Sequence, residues 1–187
     1  MNAEWRTFYD ELQGDSDRAC AIVGAAVLDA NLENLLRSYL VEDTQELNNL
    51  LNAGNDFAPL RDFGARITLA YLIGAVDGVI LHDLRVIKNV RNLFAHEHAI
   101  LRFSSNPIIR KVRQLKVPDM ITSAILRDAG IPSPGPAPKD RFVWTITTLL
   151  GELQNRRDAL AKSRLKPAPA IQVSFRWLGN YRRQHHA

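Results

Sequence analysis

The chain has 187 residues, 46% of them hydrophobic and 24% charged, with a net charge of +4. That is room for one domain with a substantial core, and no apolar run reaches the roughly 20 residues that span a bilayer, so no membrane association is expected. A polar, acidic start (MNAEWRTFYDELQGDSD) argues against a secretory signal and for the cytoplasm, and the lone Cys20, in an aliphatic run, reads as a small buried hydrophobe.

Helical spacing dominates in chain order, and the fold class expected is all-α: a multi-helix up-and-down bundle with an extended basic tail. Ala3 to Gln13 forms a short amphipathic helix ending at Gly14, with Trp5, Phe8 and Tyr9 capping the bundle. Asp15, Ser16 and Asp17 offer N-caps for a helix to about Leu40 with Ile22, Ala25, Leu28, Leu32, Leu35 and Leu36 on its apolar stripe. At roughly 1.5 Å per residue it is about 36 Å long, enough for the spine of a bundle. Thr44 caps a helix from Gln45 to Asn52, and AGNDFAPL is a loop. Asp62 caps Phe63 to Ile73, a tight GAVDG turn follows, and Asp77 caps a helix to about Ala99. Ser104 or Ser105 with Pro107 starts Ile108 to Leu115, and Pro118 opens a helix ending at Gly130. The four prolines of residues 131–139 make an extended linker, after which Asp140 caps a last long helix to about Leu165. The chain divides into a helical domain, 1–165, and a basic tail, 166–187, with one short strand expected at Ile171 to Phe175.

Charge is uneven. From Arg156 onward eight Lys and Arg stand against Asp158 alone, giving +7 there and −3 before it. Arg156, Arg157, Arg164, Lys166, Arg176, Arg182 and Arg183 can follow a phosphate backbone of RNA or DNA, with Trp177 and Tyr181 placed to stack on bases. A solvated helix face and a loose end explain the same residues. His82, His96, His98, His185 and His186 lack the spacing of a metal site, no nucleotide or hydrolase motif occurs, and no cofactor is expected.

The segment Arg91-Asn92-Leu93-Phe94-Ala95-His96 places three polar side chains beside an aliphatic stripe. Asn92 and His96, four apart, share a helix face, about 40° apart in azimuth; Arg91 and His96, five apart, diverge by about 140°. Convergence of Arg91 and His96 therefore demands that the helix end near His96 or that two copies complete each other. Alternatively Asp29 and Glu33, four apart on the long helix, hold Arg91 and Asn92 as a structural clamp, unless Glu33 pairs locally with Arg37.

The run from Ala58 to His96, with Pro59-Leu60 at its entry, ARITLAYLIG, an acid-capped helix and RNLFAH at its close, resembles the MltR (mannitol operon repressor) family, and RxxxxH is similar to the motif of the HEPN superfamily. The likeness covers roughly Ala21 to Leu115. It implies a helical bundle that works as a homodimer in regulation, a transcriptional repressor or co-regulator meeting a protein or nucleic acid. The alternative it implies is a metal-independent endoribonuclease, toxin or RNA-processing, in which His96 moves protons, Arg91 stabilises the phosphorane and Asn92 orients the imidazole or phosphate.

Overall fold

A computed structural model describes residues 3–52, 54–97, 100–129 and 135–170. Among these residues the fold is eight α-helices and no strand: α1 (Ala3–Gly14), α2 (Asp17–Tyr39), α3 (Thr44–Leu51), α4 (Phe63–Leu72), α5 (Gly78–His96), α6 (Asn106–Val112), α7 (Val117–Ala129) and α8 (Pro138–Ala161). The all-α expectation therefore holds. The strand expected at Ile171 to Phe175 lies outside the described residues.

N-cap side chains set the starts of α2, α3, α4 and α5, because each accepts from backbone N–H groups that have no partner inside the helix. Ser16 accepts from Ala19, Asp62 from Gly64 and Ala65, and Asp77 from Val79 and Ile80. Two expected caps move. The α3 cap is Asp43, one residue before Thr44, accepting from Glu46 N at 3.0 Å. α8 starts earlier than Asp140, with Ala137 as cap and Pro138 at the first helical position, where proline's missing N–H has no cost. Asp140 instead accepts from Gln13 of α1 at 2.8 Å. The α4–α5 turn is a Schellman motif: Gly74 sits at φ +73°, Ala75 N donates to Ala70 O and Gly74 N to Tyr71 O.

α2 and α8 are the spine, and they run parallel. Lys139 lies 3.8 Å from Asp17 at one end, Ser38 meets the Arg157 carbonyl at the other, and between them a Cβ on Gly24 would come within 3.3 Å of Ile146. α5 crosses back antiparallel to both, its start tied to Arg156 through Asp77 and its end stacked through Phe94, Phe103 and Phe142 at 5.2 Å spacings. Leu28, Leu32, Leu35, Leu84, Ile87, Ile146 and Leu150 fill the centre. Cys20 is buried there, and burial pushes its thiol up to about 12, so it is a hydrophobe at neutral pH. Contrary to expectation, α2 is long and apolar enough by composition to cross a membrane; in the bundle α5 and α8 cover its apolar face.

The chain beyond α8 turns back over the end of α2. Arg164 donates to the Arg37 and Ser38 carbonyls and pairs with Glu42, and Leu165 N donates to Tyr39 O at 2.8 Å. A cation on the free carbonyls of a helix C-terminus is the favourable sense of the helix dipole.

Candidate functional site

α5 ends at His96, with Glu97 N donating back to Leu93 O, so the helix termination that the motif geometry allowed is present. It does not bring Arg91 and His96 together. His96 lines a cleft of about 370 Å³ with Asn89, Asn92, Leu93, Glu97 and Lys111, on the α6 side of α5. Arg91 lines a different cleft of about 430 Å³, on the α4 side, with Asp29, Arg61, Asp62, Phe63, Lys88 and Asn92. Asn92 is the rim between them, and Arg91 Nη1 donates to its Oδ1 at 3.0 Å. Within one chain the 140° divergence read from the helix is what the fold keeps.

The clamp expected around Arg91 belongs to another arginine. Arg66 of α4, 2% exposed, reaches Asp29 at 2.7 Å, Glu33 at 2.8 Å and the Leu51 carbonyl at 2.6 Å. Glu33 is shared with Arg37 at 2.8 Å, one helical turn away on α2. Arg91 is exposed and makes no ion pair with either acid, because Arg66 comes to them from inside the bundle while Arg91 stands on the outer face of α5. Burial pushes the Asp29 carboxyl above the ordinary carboxylate range, and the Arg66 hydrogen bond and charge offset this only in part. Arg66 Nε is buried without a partner.

A second buried charge escaped the sequence reading. Asp83, 0% exposed, accepts from Lys116 N and Val117 N, so a carboxylate from the middle of α5 caps the start of α7. Its carboxyl is also pushed up, by burial first, with the two backbone donors opposing. Both buried charges carry one signal in the sequence: each falls on an apolar stripe, Arg66 between Phe63 and Ala70, Asp83 between Ile80 and Ile87.

The basic residues expected to follow a nucleic acid are partly committed elsewhere. Arg156 binds Asp77 at 2.8 Å, Glu152 at 2.7 Å and the Ala75 carbonyl, which locks α8 to the start of α5. Arg157 pairs with Asp158, and Arg164 holds the end of α2. Lys166 is exposed. Arg176, Trp177, Tyr181, Arg182 and Arg183 lie outside the described residues. The described part of this segment is therefore internal fastening more than a phosphate track.

No protein-family model matches the chain, and no curated protein matches it. Among solved structures, a chain of the X-ray structure of the MtlR–HPr complex from Escherichia coli matches with a TM-score of 0.60 at 18% identity, covering 81% of this chain and 99% of that one. The chain accordingly has an MtlR-like fold.

Proposed function

We propose that this chain is a regulatory protein of the MtlR type, working as a co-regulator that binds another protein. One observation carries the reading: over four-fifths of its length the chain shares its fold with a chain of a complex between MtlR and HPr. An HPr-type protein is the first candidate partner. The placement of the motif residues supports contact over catalysis. Arg91, His96 and Glu97 are exposed, and within one chain Arg91 lies in a different cleft from His96 and Glu97, where they can face a partner without the convergence that RNA cleavage needs. The experiment is calorimetric titration of the purified full chain with HPr at physiological salt. Saturable one-to-one binding, with Kd on the order of micromolar, is expected for an interface of standard size. No heat and no co-elution at about 100 μM of each protein, roughly a hundredfold above such a Kd, overturns the HPr-type assignment.

A further inference from the structure

Lys88 is the residue whose position the fold leaves unexplained. It is half-buried on α5, packed against Gly64 in the first turn of α4, and makes no ion pair or hydrogen bond among the described residues. Its ammonium sits where a Cβ on residue 64 would be, 2.5 Å away, so the glycine makes room for it. That places a cation at the positive end of a helix, with the Asp62 cap oxygen 3.0 Å from the same Cβ position but no ion pair formed between them. Arg91, one turn further along α5, shares the cleft and has no carboxylate partner; its only hydrogen bond among the described residues goes to Asn92 Oδ1. Because that bond fixes the oxygen on Arg91, the Asn92 amide nitrogen is left to donate outward.

The acids around the cleft are already engaged. Asp29 serves Arg66, Asp62 caps α4, and Asp56 pairs with Arg61 at the rim. Two unpaired cations and an amide thus converge on about 430 Å³ with Phe63 as an apolar wall. We propose that the α4–α5 cleft binds a small phosphate-bearing molecule, its phosphate held by Lys88, Arg91 and Asn92 and its organic part against Phe63. Charge-assisted donors from several directions suit the tetrahedral oxygens of a phosphate, which the arginine fork also matches. The cleft is larger than one phosphate, which leaves space for the organic group. A polyanion backbone is the poorer fit, since Asp29 and Asp62 border the cleft.

This site goes beyond the partner-binding reading and does not depend on it, because its test contains no partner. The full chain is titrated with inorganic phosphate and with glycerol 3-phosphate at constant ionic strength. Both bind, glycerol 3-phosphate the tighter, and Lys88→Gln and Arg91→Gln each weaken binding roughly tenfold, the loss of one charge-assisted hydrogen bond. Lys111→Gln, in the neighbouring cleft, leaves the affinity unchanged. Gly64→Ala is a further variant: its Cβ displaces the ammonium and lowers affinity, and because it also comes within 3.0 Å of the Asp62 cap oxygen, the titration is run at a temperature where circular dichroism shows the variant folded. Absence of binding by either probe at about 10 mM, weaker than the roughly millimolar Kd of a single polar contact set, overturns the proposal. So does an equal loss in Lys111→Gln, which is the mark of a diffuse positive surface.

Discussion

Two arginines stand on either side of Asp29, and they have opposite fates. Arg66 reaches the carboxylate from inside, is buried, and fastens α4 to α2 and to the end of α3 through three oxygens. Arg91 approaches from outside, stays exposed, and holds only the neighbouring Asn92. Both lie in the stretch from Ala58 to His96. The difference teaches that two arginines of one stretch part by burial: the buried charge marks where the fold depends on a contact, and the exposed one leaves its surface open. A buried charge that loses its partner costs several kcal/mol, while an exposed one seldom costs a measurable amount.

The sharpest way to break this comparison is to remove both arginines in turn. Arg66→Ala leaves Asp29, Glu33 and the Leu51 carbonyl without their shared donor, and should lower stability by about 3 kcal/mol or more in urea denaturation. A loss below about 0.5 kcal/mol, the ordinary size for a surface substitution, would make the clamp incidental. Next in size, Asp83→Ala exposes no new surface but strips the cap from α7, at about 2 kcal/mol.

Asp83 also gives a pH test with a definite sign. Its carboxyl titrates above the ordinary value of 3.8 in the folded chain. Between that value and the raised one, the native state keeps a proton that the unfolded chain has lost, so this group makes stability fall as pH rises through the window. Above the raised value its contribution is flat. Asp83→Asn cannot titrate, and the difference in unfolding free energy between wild type and variant should carry this slope; a difference independent of pH would show that burial does not govern the group.

Smaller still, Arg164→Ala uncaps the end of α2 and should cost about 0.5 to 1 kcal/mol, discounted because the side chain is one-third exposed. Smallest of all, Arg91→Ala and His96→Ala should each leave stability within about 0.5 kcal/mol of wild type, and neither should alter RNA integrity in excess chelator. Cleavage leaving 2′,3′-cyclic phosphate ends, present in wild type and lost in His96→Ala, would reverse the placement of function in binding over chemistry.

Most of the fold was legible because helix starts are written locally. Ser16, Asp62 and Asp77 cap the helices they precede, and the apolar stripe of α2 faces α5 and α8. Where the reading slipped, a long-range partner had decided the matter. Asp140 looked like a cap but bonds to Gln13 of α1, and the Asp29 and Glu33 pair was legible while its arginine was not. Spacing along α2 places two acids together; it holds no information on whether α4 or α5 supplies the cation between them. For the motif, the separation of Arg91 from His96 follows from helix geometry alone, but the clefts on either side of Asn92 exist only once α4 and α6 flank α5.

The parallel pairing of α2 and α8 bears on how the chain is made. Parallel neighbours must be joined by a long crossover, and here nearly one hundred residues separate the end of α2 from the start of α8. On the ribosome, α2 emerges with an apolar face that its main neighbour covers only after nearly one hundred further residues have been made. A core completed by α8 folds from distant contacts, so nascent chains lacking α8 should be held by chaperones or degraded, and premature stops upstream of Pro138 should yield no soluble product.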